Sequence, residues 1–166
     1  SDLAGRSSLH YKMSEFGLDP AAIDLTALLA RIKELAFEGS QFEGADASLK
    51  LLVREVGENE ADPFELTGFR IFIDQVSGEF LSEATVKVSV DGSEDHTAAA
   101  GNGPVHALDR AIKKAVSRFF PQVERIRLID YKVRVLDARE GTAARVRVLI
   151  ESTDGDESWS TVGVSH

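Results

Sequence analysis

The 166-residue sequence has no cysteine, which excludes disulfides and thiol chemistry. It also has no run near the length of about 18 apolar residues that a membrane helix needs, and no basic start precedes a short apolar stretch. These absences predict a cytoplasmic protein. The few histidines are scattered without H-x-x-x-H spacing, so we expect no metal site. They are His10, His96, His106 and His166.

Positive charge is scarce as well. Nineteen lysines and arginines stand against 28 aspartates and glutamates, which gives a formal net charge of -9. Nucleic acid and anionic lipid both require a concentrated basic surface, so small molecules and other proteins are the favoured partners. No H-E-x-x-H, G-x-S-x-G, P-loop or G-x-G-x-x-G motif survives inspection of its context, and no complete active site is visible.

Residues 1–57 carry helical periodicity. "SSLHYKMSEFGLD" predicts a short helix that ends at Gly17. Asp19 before Pro20 predicts the N-cap of a second helix rich in leucine, and a third helix is expected from about Asp46. The acidic stretch "GENEADP" then predicts a linker at 58–63.

From Phe64 the hydrophobic period changes to two. "FRIFIDQV", "EATVKVSV" and "SEDHTAAAG" predict three strands, and Pro104 opens a helix with a regular apolar stripe. Residues 64–121 therefore form a β-β-β-α unit. "DYKVRVLD", "TAARVRVLIES" and "DESWSTVGV" begin the same order again within 122–166.

A uniform shift of about 60 residues aligns these two copies, sets Val86 against Val146 and brings Gly101 near Gly163. The predicted fold class is α+β, with a small helical subdomain followed by a duplicated β-β-β-α domain at 64–166. The second copy lacks its final helix. Its uncovered apolar sheet face favours either a partner chain or truncation.

The stretch "AAAGNGPVHA" joins the third strand to the helix with almost no side-chain bulk. Its glycines offer bare backbone, and Pro104 leaves the next amides pointing out of the helix N-terminus. Such an end suits a carboxylate of a metabolite. The alternative is a tight turn without a ligand.

Two further patterns have alternative interpretations. "AIKKAVSRFF" and "RIRL" could form a basic face of a double-stranded RNA-binding domain, although a solvated helix face explains them too. "GRSSLHYKM" brings together Arg6, His10 and Tyr11, which either do acid/base or positioning work or form an exposed polar face.

Four segments carry a resemblance to a known family, namely "SDLAGRSSLHYKMSEFGLD", "RIKELAFEGSQFEGADASLKLLVRE", "GNGPVHALDRAI" and "LIDYKVRVLD". Together they resemble the part of an α-isopropylmalate/homocitrate synthase family protein that follows the catalytic barrel. The stretch "GSQFEGADAS" is most similar to the citramalate synthase branch. The resemblance implies helical linker subdomains followed by a regulatory domain of two β-β-β-α units.

This resemblance implies a parent acyltransferase that condenses acetyl-CoA with a 2-oxo acid, pyruvate in the citramalate branch, using a divalent metal in a TIM barrel. The present chain lacks that barrel, so we expect it to be inactive alone and to hold no cofactor. The regulatory domain is expected to bind isoleucine or leucine for feedback inhibition and to contribute to a homodimer. A purely structural dimerisation module is the main alternative, and an RNA-binding domain is the third.

The resemblance also assigns candidate residues. Asp130 is a plausible ammonium partner on chemical grounds, and the region of Gly163 and Val164 corresponds to a second effector loop. Three residues of the first helix would support the active site of the other subunit in the parent enzyme. The effector candidates are Gly101, Asn102, Gly103, Pro104, Val105, Asp130, Tyr131, Gly163 and Val164, and the supporting residues are Gly5, Arg6 and Tyr11.

Overall fold

The computed structural model describes residues 2–58 and 61–165. The strands form two antiparallel sheets, a first sheet of order β1-β2-β3 and a second sheet of order β4-β5-β6. This confirms the predicted α+β fold with a repeated three-stranded unit. The elements are α1 (Asp2–Glu15), α2 (Leu25–Glu38), α3 (Asp46–Glu58), β1 (Glu65–Val76), β2 (Glu79–Val90), β3 (Ser93–Gly101), α4 (Pro104–Val116), β4 (Arg127–Val135), β5 (Val146–Thr153) and β6 (Ser158–Ser165).

Helices α1, α2 and α3 share one apolar core, because their leucines recur at helical spacing. The predicted N-cap of the second helix was wrong. Asp19 caps only a 3₁₀ turn at Pro20–Ala22, whereas Asp24 caps α2 by accepting bonds from the Thr26 and Ala27 amides at 2.9 and 3.1 Å. The core residues are Leu9, Met13, Leu28, Leu49, Leu52 and Val53.

Helix α4 covers one face of the first sheet. The alternation along β2 points its even-numbered residues toward the helix, where they are buried against a stripe of small side chains. Alanines on that stripe let the helix approach the sheet closely. The buried residues are Ala84, Val86, Val88 and Val90 on β2 and Ala107, Ala111, Ala115 and Val116 on α4.

The second sheet contacts the end of α2 and the first turn of α3. Arg147 on β5 donates to the carbonyl of Gly39 at 2.6 Å, and the Val162 amide of β6 donates to Ser48 Oγ at 2.9 Å. Gly39 ends α2 with a φ of 113°, which favours glycine. A Cβ there would lie 2.5 Å from a terminal methyl group of Leu136, which would have to move aside. No α-helix follows β6 within the described residues.

Contacts divide the chain into two compact units. The helix-rich unit contains α1, α2 and α3 together with the second sheet, and the glycine-loop unit is Asp62–Ile126, with the first sheet and α4. This grouping follows the contacts of Gly39 and Ser48 rather than the linear order. The domain boundaries expected from the sequence stay a prediction. Within the expected linker at 58–63, Asn59 and Glu60 lie outside the described residues.

Strand register aligns the two copies of the repeat. Each first strand has a register irregularity, after Leu66 in β1 and after Leu128 in β4, so these two leucines correspond. The pairings that follow the irregularity run in parallel in the two sheets. They place Val86 of β2 at the position that Ile150 of β5 occupies in the second sheet. The uniform shift expected from the sequence, which set Val86 against Val146, was therefore wrong. The first hairpin and the second differ in length, so no single shift aligns all of their strands.

None of the described helices has the length and apolar character needed to cross a bilayer.

Candidate functional site

The glycine loop, residues 101–105, joins β3 to α4. Gly101 is packed against the first turn of the helix, where a Cβ would overlap the amide nitrogen of Ala107. Such an overlap between a Cβ and backbone does not occur in real structures, so any other residue would force α4 away from β3. Gly101 is therefore required by the packing of the helix on its own sheet.

The N-terminus of α4 is open. Gly103 occupies the N-cap position in an extended conformation, with no side chain capping the helix, and Pro104 follows it. Helix geometry leaves the amides of Val105 and His106 without an intrahelical acceptor. A Cβ on Gly103 would meet no atom within 4 Å. The loop thus has exposed donors, the positive end of the helix dipole and free space for an anionic group.

Two side chains define the immediate surroundings of these amides. His106 Nδ1 accepts a bond from the Asn102 amide at 3.1 Å, which holds the loop against the helix. Val105 is 46% exposed and supplies an apolar surface beside the helix start. The loop therefore pairs a polar backbone end with a small aliphatic neighbour.

A row of basic side chains on α4 runs along the open edge of β3. Arg110 donates to the Ala100 carbonyl at 2.8 Å, and Lys114 donates to the Ala98 carbonyl at 3.1 Å. One turn further, Arg118 pairs with Asp95 at 2.6 Å. The sequence pattern predicts either a solvated face or a nucleic-acid-binding face. The spacing of four residues, beginning at His106, was the signal for an edge-covering role.

The candidates on the second sheet do not form a loop. Gly163 and Val164 lie inside β6, and β5 separates them from Asp130 and Tyr131 on β4. By register the counterpart of Gly101 is Ser165, two residues beyond Gly163, and an effector role for Gly163 and Val164 stays a prediction. The side chain of Val164 lies within van der Waals distance of the position that a Cβ on Gly39 would occupy.

On β4 itself, Asp130 lies 3.9 Å from Lys132, and both side chains are largely exposed. Tyr131 is about half exposed. Asp130 and Tyr131 belong to the helix-rich unit, whereas the glycine loop belongs to the glycine-loop unit.

Two arginines, Arg145 just before β5 and Arg147 within it, form contacts that no sequence pattern indicated. Arg145 bonds Asp137 at 2.7 Å and the Glu38 carbonyl at 2.9 Å, and Arg147 bonds Gln41 at 2.7 Å as well as the Gly39 carbonyl. The guanidinium hydrogen bond lowers the pKa of Asp137 and raises the pKa of Arg145.

The candidates on α1 are exposed. Arg6 donates to Thr26 Oγ1 at 3.0 Å, and Tyr11 is 73% exposed. Gly5 lies near α2, because the position that a Cβ on Gly5 would occupy is 3.7 Å from the Leu29 side chain. Within the described part of the chain, no three His, Asp or Glu side chains converge as a metal site would require.

Comparisons with known proteins agree with this arrangement. A model of the LeuA allosteric (dimerisation) domain family matches residues 43–166. Over 99% of its length the chain is 51% identical to an (R)-citramalate synthase of Aquifex aeolicus and 47% identical to that of Geobacter sulfurreducens, and it covers 32% of each protein. Over 98% of its length it is 27% identical to a 2-isopropylmalate synthase of Shewanella frigidimarina, of which it covers 29%.

The chain thus spans about a third of the length of these curated relatives. The match to the family model includes α3, both sheets and α4. Because that match extends over well more than half of the residues, the chain belongs to the LeuA allosteric (dimerisation) domain family.

Proposed function

We propose that this chain is the regulatory region of an acetyl-CoA-dependent synthase of the citramalate type, and that it binds isoleucine or leucine as a feedback inhibitor. The identity of 51% to an (R)-citramalate synthase, against 27% to a 2-isopropylmalate synthase, supports the citramalate branch. In that branch the 2-oxo acid is pyruvate. The region also joins two copies into a homodimer in the cytoplasm.

The same proposal assigns the catalytic chemistry to the remainder of a longer protein. Acetyl-CoA and the divalent metal belong to that part. Gly5, Arg6 and Tyr11, exposed on α1, then have a supporting role beside the active site of the other subunit. Feedback inhibition requires the amino acid to bind one arrangement of the domains better than another.

The uncapped start of α4 carries the proposal. An amino acid presents a carboxylate, which the free amides of Val105 and His106 can bind. The aliphatic side chain of isoleucine or leucine would contact Val105, and the open space in front of Gly103 admits it. Asp130 and Tyr131 on β4 stay separate candidates, with Asp130 proposed for an ammonium group because of its charge.

One observation favours the alternative of a structural dimerisation module. The contact between Gly101 and Ala107 explains that glycine by packing alone, without any ligand. It does not explain Gly103, whose position for a Cβ is free and whose backbone is extended. The two functions therefore differ in what they require of Gly103.

Thermal unfolding with isoleucine, leucine, valine or no ligand tests the proposal. A ligand at 100 times its dissociation constant adds about 2.7 kcal/mol to the free energy of unfolding. Gly103→Asp places a carboxylate at the N-cap, where it satisfies the same amides. Gly103→Ala is the matched control, because it adds a Cβ in open space and leaves the amides free.

We expect one amino acid to raise the melting temperature of the wild type and of Gly103→Ala selectively. Gly103→Asp should lose that shift while remaining folded. The binding proposal fails if no amino acid shifts the wild type. If the amino acid raises the melting temperature of Gly103→Asp as much as that of the wild type, it binds somewhere other than the start of α4.

A further inference from the structure

The hairpin of β1 and β2 projects beyond the rest of the first sheet. Ile73 pairs with Ser82, and Ser82 pairs with Gly101 at the end of β3. Residues 74–81 therefore continue as a ribbon of only two strands, which has little stability by itself. Large apolar side chains on this ribbon are more than half exposed, namely Val76, Phe80 and Leu81.

Among the described residues no strand pairs with the outer edge of β1, the terminal strand of the first sheet. An open edge presents unpaired backbone groups to any second strand. Natural edges are blunted by lysine, proline, bulges or covering elements. β1 contains no lysine or proline, and its register irregularity lies between Leu66 and Gly68, before the residues that follow here. The opposite edge, on β3, is covered by Arg110 and Lys114. Exposed apolar residues on β1 include Phe69, Ile71, Phe72 and Ile73.

Two charges on β1 are self-complementary. Arg70 and Asp74 lie on the same face, and four residues of strand separate them by roughly 13 Å, too far for an ion pair. Within the described ranges neither has an ion-pair partner. If a second β1 pairs antiparallel about Phe72, each Arg70 stands opposite Asp74 of the second copy. Centring the pairing on Arg70 or on Asp74 instead places like charges opposite each other.

We propose that β1 pairs antiparallel with β1 of a second copy, centred on Phe72, so that two first sheets become one six-stranded sheet. This inference rests on the proposed dimerisation and names its surface. The edge of β4 is less suited, because Asp130 and Lys132 already lie 3.9 Å from each other. When Leu66 is aligned with Leu128, the counterpart of Asp74 is the uncharged Leu136.

Sedimentation equilibrium of the 166-residue chain measures the dimer dissociation constant. The variants are Arg70→Asp, Asp74→Arg and the double reversal, and Lys132→Asp on β4 is the matched control at the counterpart of Arg70. All of these side chains are exposed, and far-UV circular dichroism checks that each variant folds.

Each single reversal turns two attractive cross-strand pairs into two repulsive pairs, so the dissociation constant should rise by about tenfold or more. The double reversal restores complementarity and should return the constant to within about threefold of wild type. Lys132→Asp should leave it unchanged.

Several results would overturn the pairing. Single reversals without effect, or a double reversal no tighter than the singles, contradict it. Selective weakening by Lys132→Asp would move the interface to β4. A wild-type dimer that ignores the Arg70 and Asp74 variants refutes only this surface, whereas a wild type that stays monomeric at millimolar concentration refutes the proposed dimerisation as well.

Discussion

The strands of the two sheets pair in corresponding registers, but different elements cover the two sheets. In the first sheet, α4 packs on the face that carries Val86, which is fully buried. The corresponding face of the second sheet carries Val148 and Ile150, which remain partly exposed. There the segment from Glu38 to Ser48 contacts Arg147, on the opposite face, and the β6 edge.

The hairpins differ in the same sense. In the first sheet a two-residue turn lets the apolar ribbon at 74–81 project freely. In the second sheet the equivalent region is the longer loop at 136–145, held by Arg145 and by Leu136 against Gly39. The repeats have thus specialised. The first keeps an open helix start and an open strand edge, and the second is fixed to the helices.

The largest expected difference between the repeats lies at two glycines. Gly101→Ala should lower the free energy of unfolding by about 2–3 kcal/mol, because its Cβ would overlap the backbone of Ala107. Gly163→Ala should raise it by roughly 0.5 kcal/mol, because that Cβ meets no atom within 4 Å and alanine loses less chain entropy in a strand. Urea unfolding followed by far-UV circular dichroism measures both. Equal effects would contradict the assigned contact at Gly101.

The next difference concerns the two sheet faces. Val86→Ala removes two methyl groups from a fully buried site and should cost about 2 kcal/mol. The same change at Val148 should cost less than about 1 kcal/mol, because that side chain already contacts water. If the two variants lose equal stability at micromolar concentration, the face of the second sheet is covered in solution.

The smallest effect should come from the ion pair that holds the loop of the second sheet. Arg145 lowers the pKa of Asp137, so this pair contributes stability above the ordinary pKa of aspartate. The contribution is lost as the pH falls through the lowered pKa of the folded state. The melting temperature of Asp137→Asn should therefore lie below that of wild type at pH 6, and the difference should shrink as the pH falls below the ordinary pKa of aspartate. A difference that is unchanged between pH 6 and pH 3 would show that the pair contributes no pH-dependent stability.

Local signals in the sequence predicted most of the elements. Periodicity located the helices and strands, and Pro104 marked the start of α4 correctly. Register escaped prediction, because the apolar alternation that includes Val86 fits the second copy equally well with Val86 against Val146 or against Ile150. Only pairing between strands selects Ile150. The expected shift brought Gly101 near Gly163, whereas strand pairing sets it against Ser165.

The contacts of Arg145 and Arg147 were also beyond the sequence, since they join the second sheet to the end of α2, far away along the chain. The glycine loop was predictable as a strand-to-helix turn from its composition. Gly101 must be glycine for steric reasons, whereas a side chain at Gly103 would have free space. Only the neighbouring atoms reveal this difference.

Amide hydrogen exchange by NMR, with and without saturating isoleucine or leucine, tests the central claim most directly. We predict that one of these amino acids slows exchange at Val105 and His106, the free amides of α4, and leaves the amides of Gly163 and Val164 in β6 at their original rates. Unchanged rates at Val105 and His106 with both amino acids would contradict amino-acid binding at the helix start, as would protection confined to the second sheet.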